Sequence, residues 1–205
     1  MNLLSHALLS DPDPEARSGN LLADFVRGNE LASMPPRFLE GVRIHRAIDA
    51  FTDSHPLVHR STARLGEYRY VRGILVDVFY DHFLTLNWGD YSDEPLGAFT
   101  ARIYAEIRSC PLALPPVARS VLDHLIEENW LGSYGSIAGI EDALGRISER
   151  LSARVGREFS LAEASKDLAA NFGDLSDDFA EFFPLLREHF RSCGRIDSGV
   201  KPWVS

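Results

Sequence analysis

The stretch "MPPRFLEGVRIHRAIDAFTD", residues 34–53, has the pattern of an amphipathic helix that begins after a pair of prolines. Proline is favoured at the first helical position, and the apolar residues that follow recur at intervals of three and four. The pattern ends before "SHP", where Ser54 is expected to cap a second helix entered through Pro56. This stretch therefore predicts a long helix with one apolar side.

The rest of the chain continues as helices, because apolar positions recur at three and four and a period of two never persists. "SGNLLADFVRG" is expected to start at a Ser18 or Asn20 cap and to stop near Gly28. "YRYVRGILVDVFYDHFLTLNW", residues 68–88, should be the most buried helix. The other predicted helices lie near 94–108, 115–131, 136–153, 160–170 and 176–192, with breaks at "LGSYGS" and "NFGDLSDD".

No repeat, low-complexity tract or long linker divides the chain. We therefore expect residues 1–205 to form a single all-α domain, a compact helical bundle, with an irregular tail at 196–205. The 45% apolar and 25% charged content is typical of a globular protein with a real core. The apolar opening is short and lacks a basic region, so neither export nor membrane insertion is expected and a cytoplasmic location is predicted.

Charge and cysteine content narrow the classes of function. The two cysteines are too few for a disulfide framework or a zinc–thiolate site. A net charge of −9 argues against nucleic acid as the partner. The charge is uneven, however: residues 1–75 contain nine arginines and nine acidic residues, so the whole excess lies in residues 76–205. The first part of the chain is thus the more suitable for an anionic substrate.

Two predicted helices carry metal-ligand side chains beside their apolar faces. His45, Asp49 and Asp53 follow one another at a spacing of four, and the first two border the core side of their helix. Asp77 and Asp81, also four apart, stand on an apolar row of the long helix. Carboxylates in such positions are costly unless they are paired or bound to a cation.

Salt bridges to Arg43, Arg46 or Arg72 would explain these carboxylates without a metal, and a lone histidine there would be an ordinary core residue. His6 and Asp24, however, also border apolar faces of their own segments. Four separate helices thus offer such groups, which is what a metal centre within a helical bundle requires. Mn²⁺ and Mg²⁺ accept mixed carboxylate, imidazole and water ligands.

Four segments of the chain resemble, in order and spacing, the motifs of the acyl carrier protein phosphodiesterase family. They are "NLLSHALL", "SGNLLADFVRG", "GVRIHRAIDAFTDSHP" and "DVFYDHFLTLNW". This family is related to the HD-type metal-dependent phosphohydrolases, so the resemblance implies an HD-domain-like bundle. It also implies an Mn²⁺-dependent enzyme, with Mg²⁺ as a substitute, that hydrolyses the bond between 4′-phosphopantetheine and a serine of holo acyl carrier protein. The matching positions are His6, Asp24, His45, Asp49, Asp53, Asp77, Asp81 and His82.

The resemblance also suggests roles for these residues. Asp24, His45, Asp77 and Asp81 are expected to bind the metal, with His82 or His6 completing the set or donating a proton. Asp49 would orient His45 or bind directly, so that Asp24, Asp49, His82 and Arg46 are the candidate catalytic residues. Arg27, Arg43 and Arg72 are the candidate substrate-binding residues, which would offset charge on the phosphate or the carrier protein.

The implied partner, holo acyl carrier protein, is small and acidic, so its docking should require a positive surface. The arginines of residues 17–72 could supply one despite the overall negative charge, because steering depends on local potential. The alternative is that most of them pair with nearby acids. They lie at positions 17, 27, 37, 43, 46, 60, 64, 69 and 72.

Two other functions compete with this one. A related phosphohydrolase acting on a small nucleotide, such as guanosine tetraphosphate, would use the same helical site and gain nothing from an acidic protein partner. A non-catalytic helical interaction module would hold its His and Asp residues as buried salt bridges and bind no metal. The sequence gives no indication of oligomeric state.

Overall fold

A computed structural model describes residues 1–68, 70–161 and 163–192 of the chain. The predicted irregular tail at 196–205, Cys193 and Arg69 lie outside these residues. Within them the chain is helical and contains no β-strand, so the predicted all-α fold is confirmed. No helix in these ranges is both long and apolar enough to cross a bilayer.

The helices follow one another with short connections. They are α1 (Leu3–Leu8), α2 (Pro14–Leu22), α3 (Gly28–Ala32), α4 (Pro36–Ser54), α5 (Pro56–Arg64), a 3₁₀ turn (Gly66–Tyr68), α6 (Arg72–Leu86), α7 (Trp88–Tyr91), α8 (Leu96–Ser109), α9 (Pro116–Glu127), α10 (Trp130–Ser133), α11 (Ile137–Val155), α12 (Ala164–Ala170) and α13 (Phe172–Ser192).

The centre of the bundle is α6, whose residues 78–84 are all buried. The prediction of one helix over 68–88 was too long at both ends. The helix begins at Arg72 and ends at Leu86, where both the backbone and side-chain nitrogens of Asn87 donate to the carbonyl oxygen of Phe83. The Asn87 side chain thus adds a second donor to a carbonyl of the last turn, and the backbone of Asn87 leaves the helical conformation with φ of −108° and ψ of 23°.

The two helices that frame the site, α2 and α4, are in backbone contact. A Cβ atom on Gly19 would overlap the carbonyl oxygen of Phe38, and one on Gly41 would overlap that of Ala16. Glycine at these two positions therefore allows an approach that any larger residue would prevent. The contact brings the side of α2 that carries Asn20 against α4.

The start of α2 differs from the prediction. Its cap is Asp13, whose Oδ1 accepts from the backbone nitrogens of Glu15 and Ala16 at 3.0 and 2.9 Å. Pro14 occupies the first turn, and the helix ends at Leu22. The predicted cap at Ser18 or Asn20 and the predicted end near Gly28 were therefore wrong, because an Asp-Pro start is the stronger signal.

The predicted bounds of α4 agree with the structure, but the predicted role of Ser54 does not. The Ser54 hydroxyl donates to the carbonyl of Ala50 at 2.8 Å within its own helix. His55 caps α5 instead, because its Nδ1 accepts from the backbone nitrogen of Leu57 at 3.3 Å.

In the C-terminal half, the helices near 94–108 and 136–153 agree with α8 and α11 to within two residues. The segment 115–131 is divided into α9 and α10 at Asn129, which adopts a left-handed conformation with φ of 50°. The break predicted at "NFGDLSDD" is confined to Asn171, which caps the end of α12, since α13 begins at Phe172. This last helix packs on α5 and α6 and closes the bundle.

Candidate metal centre

His6 of α1 and His45 and Asp49 of α4 meet at one point between the first helices. The Nε2 atom of His6 lies 3.2 Å from Asp49 Oδ1, and the Nε2 atom of His45 lies 3.1 Å from Asp49 Oδ2. Among the described residues they form the one group of three whose ligand atoms all lie within 4.8 Å of one another. Both histidines are buried, whereas the Asp49 side chain is 38% exposed.

The far sides of both imidazoles are bound to a single residue of α2, Asn20. Nδ1 of His6 lies 3.0 Å from the side-chain oxygen of Asn20, and Nδ1 of His45 lies 2.8 Å from its backbone carbonyl. The Asn20 amide group donates to the carbonyl of His6 at 3.1 Å and to the hydroxyl of Ser10 at 2.8 Å, which fixes the orientation of the amide. Both Nδ1 atoms therefore face oxygens that only accept.

This arrangement determines where the imidazole protons lie. Because carbonyl oxygens cannot donate, Nδ1 of each ring must carry a proton, and Nε2 of each neutral ring is then an unprotonated acceptor. Burial and the neighbouring His45 lower the pKa of His6 to about 4, which favours its neutral form. Two nitrogen lone pairs thus face a carboxylate, and such a set of acceptors is of the kind that a divalent cation binds.

Asp24 lies at the open edge of this cluster, one turn after Asn20. Its Oδ1 is 4.0 Å from His45 Nε2, its Oδ2 is 3.5 Å from an Arg150 nitrogen, and its side chain is 50% exposed. Asp24, His45 and Asp49 line a cleft of about 290 Å³. The cluster is therefore open to solvent on the Asp24 side. The other lining residues are Ala23, Val26, Arg27, Gly28, Leu31 and Arg46.

Asp77 borders the cluster without joining it directly. Its Oδ1 accepts from the amino group of Met1 at 2.9 Å, and the same amino group lies 3.7 Å from Asp49 Oδ1. Burial raises the pKa of Asp77, while the adjacent amino group acts in the opposite direction. The structure thus links Asp77 to Asp49 through a positive charge, and the prediction that it binds a metal directly remains a prediction.

Asp81, another expected ligand, serves a different purpose in this structure. One carboxylate oxygen accepts from the backbone nitrogen of Leu4 at 2.7 Å, and the other accepts from the backbone nitrogen (3.2 Å) and the hydroxyl of Ser5. Burial raises the pKa of Asp81 to about 7, and these donors oppose that change. Both oxygens bind the first turn of α1 and so hold the helix that carries His6. That Asp81 binds a metal remains a prediction.

His82 is also directed away from the cluster. Its Nδ1 donates to the backbone carbonyl of Tyr134 at 2.7 Å, and its ring packs against Phe83 and Phe172. His82 is not in the cluster of His6, His45 and Asp49, and the prediction that it binds metal or donates a proton remains a prediction. Asp53 is exposed at the end of α4, where its carbonyl accepts from the His59 ring at 2.7 Å.

Comparison with known proteins gives a consistent result. A family model described as acyl carrier protein phosphodiesterase matches residues 1–186. The protein named acyl carrier protein phosphodiesterase from Salmonella dublin is 37% identical over 188 residues, which cover 91% of this chain and 95% of that protein. The proteins of the same name from Salmonella agona and Salmonella newport are 36% identical over the same lengths.

The chain belongs to the acyl carrier protein phosphodiesterase family. The resemblance noted in four short motifs therefore extends through most of the helical bundle. No solved structure matches the chain, so its expected likeness to HD-type domains remains a prediction.

Among the described arginines of residues 17–72, two groups are distinguished by their contacts. Four make ion pairs: Arg17 with Glu106, Arg37 with Asp11, Asp13 and Glu40, Arg60 with Asp178 and Glu181, and Arg64 with Asp174 and Asp178. Arg27, Arg43, Arg46 and Arg72 are exposed and make no ion pair with any described residue. Arg27 and Arg46 line the cleft.

Sequence reasoning missed the function of Asn20. The sequence suggests it only as a helix cap, because nothing in its own segment indicates which residues it contacts. Its spacing of four from Asp24, which lies just beyond the end of α2, was the one available signal. The side chain is completely buried, and all of its hydrogen-bonding groups are used within the site.

Proposed function

We propose that this chain is a divalent-cation-dependent phosphodiesterase that hydrolyses the 4′-phosphopantetheine–serine linkage of holo acyl carrier protein. The products are apo acyl carrier protein and 4′-phosphopantetheine. Membership of the family and the names of relatives that align over 95% of their length support the substrate. The cluster of His6, His45 and Asp49 beside an open cleft supports the chemistry.

The observation that carries the proposal is the convergence of three acceptors, namely two Nε2 atoms and the Asp49 carboxylate. His6, His45 and Asp49 would hold the cation, and Asp24 lies near enough to add a ligand on its open side. Mixed imidazole and carboxylate ligands suit Mn²⁺, with Mg²⁺ as a weaker alternative for a site containing nitrogen. When bound, such a cation lowers the pKa of a coordinated water and polarises a phosphoryl oxygen.

The residues around the cleft can stabilise negative charge and transfer protons during the reaction. Arg27 and Arg46 stand at its rim, where their guanidinium groups can offset the negative charge that increases on the phosphate during attack. Asp24 is half exposed and faces the same space, so it can orient the attacking water or transfer a proton. The opening of the cleft to solvent admits both the water and a phosphodiester attached to a protein.

The unpaired arginines support an acidic protein as substrate. Arg43 and Arg46 lie three residues apart on the exposed side of α4, and Arg27 lies across the cleft rim from Arg46. Because no described acid neutralises these side chains, they present a local positive potential in a chain of net charge −9. Such a patch increases the rate of encounter with an acidic carrier protein.

The direct test incubates the purified chain with holo acyl carrier protein and Mn²⁺, and follows loss of the phosphopantetheine arm by mass spectrometry. Parallel reactions contain Mg²⁺, EDTA, or the Asp24→Ala and Asp49→Asn variants. We expect loss of the arm with wild type and Mn²⁺, slower loss with Mg²⁺, and none with EDTA or Asp49→Asn. An intact arm under all metal conditions, or faster cleavage of free guanosine tetraphosphate, would reject the carrier protein as the substrate.

A further inference from the structure

We infer that Asn20 is a positioning residue that sets the tautomers of both imidazoles in the candidate metal centre. It does so in two different ways. The side-chain oxygen binds Nδ1 of His6, and the backbone carbonyl binds Nδ1 of His45. One residue thereby directs two unprotonated nitrogens from separate helices towards Asp49.

The chemistry of this position favours asparagine over its near relatives. Its amide oxygen accepts from His6, while both amide protons are used by the carbonyl of His6 and the hydroxyl of Ser10. Aspartate would keep the acceptor but lose both donors and add a buried charge, and alanine would lose all three bonds. A hydrophobic residue would leave the Nδ1 proton of His6 without its acceptor, while the carbonyl of His6 would keep only the Ser10 hydroxyl as donor.

The close approach of the α2 and α4 backbones allows the contact between His45 and the Asn20 carbonyl. A Cβ atom on Gly41 would also lie 2.8 Å from the backbone nitrogen of Asn20, so glycine at this position allows α2 to lie directly on α4. His45 follows Gly41 by one helical turn and therefore faces the Asn20 carbonyl. This carbonyl remains in place whatever side chain residue 20 carries, which provides an internal control.

The consequence for a metal follows from general ligand chemistry. A histidine binds a cation through an unprotonated nitrogen, and a hydrogen bond from its other nitrogen keeps the ring in that tautomer and orientation. Asn20 supplies this bond to His6 from its side chain and to His45 from its backbone. This inference deepens the proposed function and rests on the same site, but it can be measured without substrate.

The experiment records long-range ¹H–¹⁵N spectra of histidine-labelled, EDTA-treated protein at a pH where both rings are neutral. In wild type we expect Nδ1–H and unprotonated Nε2 on both His6 and His45. In Asn20→Ala, His6 should lose this preference while His45 keeps it. Isothermal titration should show a fall in Mn²⁺ affinity of about 10- to 100-fold, the usual effect of losing such a supporting bond.

Two further variants separate positioning from packing. Ser10→Ala removes the second acceptor of the Asn20 amide, but the bond to the carbonyl of His6 still orients that amide. This variant should therefore lower the melting temperature but leave both tautomers and Mn²⁺ affinity unchanged. Asn20→Asp retains the acceptor, so His6 should keep Nδ1–H even if stability falls.

Several outcomes would overturn the inference. Nε2–H on either ring of the wild-type protein would do so even if the variants failed to fold. An unchanged His6 tautomer and Mn²⁺ affinity in Asn20→Ala, with reduced stability, would show that Asn20 only fills space. None of these measurements uses activity on holo acyl carrier protein. If the proposed substrate is wrong, the inference about Asn20 can therefore still be tested by itself.

Discussion

The imidazole rings of His6 and His45 are stacked, with their centroids 4.1 Å apart and their planes inclined by 18°. Two protonated rings in this position would repel each other, so at least one must remain neutral. Burial, together with the proximity of His45, lowers the pKa of His6 to about 4. The pair is therefore better suited to sharing an added cation with Asp49 than to each holding a proton.

Replacing Asp49 by Asn should remove the charge that holds the cation. The amide can donate to one Nε2 atom but offers no carboxylate. The affinity for Mn²⁺ should therefore fall by more than about 100-fold, which exceeds the effect of losing a residue that only hydrogen-bonds to a ligand. Isothermal titration measures this change. Asp123→Asn, an exposed position on α9, is the matched control. Wild-type affinity in Asp49→Asn would place the metal elsewhere.

Replacing Asp81 by Asn should destabilise the fold without removing the metal. An amide cannot accept at both positions where Leu4 and Ser5 donate, so one buried donor is left unsatisfied at a cost of about 1–3 kcal/mol. Thermal unfolding would show the loss of stability. Mn²⁺ affinity, measured at a temperature where the variant is fully folded, should change little. A stable variant that no longer binds Mn²⁺ would instead show that Asp81 is a metal ligand.

Arg43 and Arg37 provide a matched pair on α4 for testing the docking of the carrier protein. Arg43 has no ion-pair partner in the described chain, whereas Arg37 pairs with Asp11 and Glu40. Arg43→Ala should therefore raise KM for holo acyl carrier protein several-fold at low salt, and Arg37→Ala should not. Steady-state kinetics with each variant measures the difference.

Salt provides a second measurement on the same pair. For wild type, kcat/KM should fall as ionic strength rises to about 0.15 M, where charges are screened beyond about 8 Å. The Arg43→Ala variant should show a weaker dependence. Equal salt dependence in wild type and both variants would argue against docking through this surface.

Asp178 should be a major contributor to the stability of the C-terminal half. It is buried on α13, and its carboxylate binds Arg60, Arg64 at 2.5 Å and the Ser61 hydroxyl at 2.7 Å. Asp178→Ala removes the shared partner of two arginines that keep Glu181 and Asp174, and it removes the acceptor of the buried Ser61 hydroxyl, so it should cost about 1–3 kcal/mol in urea unfolding. The neighbouring exposed Asp177→Ala should have little effect, and similar losses in both would refute the network.

Much of the fold could be predicted from local patterns. The start of α4 after two prolines and the helical period of its apolar residues predicted both its bounds and the position of His45 and Asp49 beside the core. These features depend on residues within one or two turns of each other, so the sequence contains them directly. The arginine-rich character of residues 1–75 and the family motifs were also visible without coordinates.

The selection among similar acidic residues was decided only by tertiary structure. Asp49 and Asp81 both border apolar faces, yet Asp49 meets two imidazoles while Asp81 binds the first turn of α1. The role of Asn20 was equally invisible, because it depends on the contact that Gly19 and Gly41 permit between α2 and α4. A helix's own periodicity specifies which residues face inwards, but the donors and acceptors that they meet belong to other helices, whose relative placement is set by packing of the whole core.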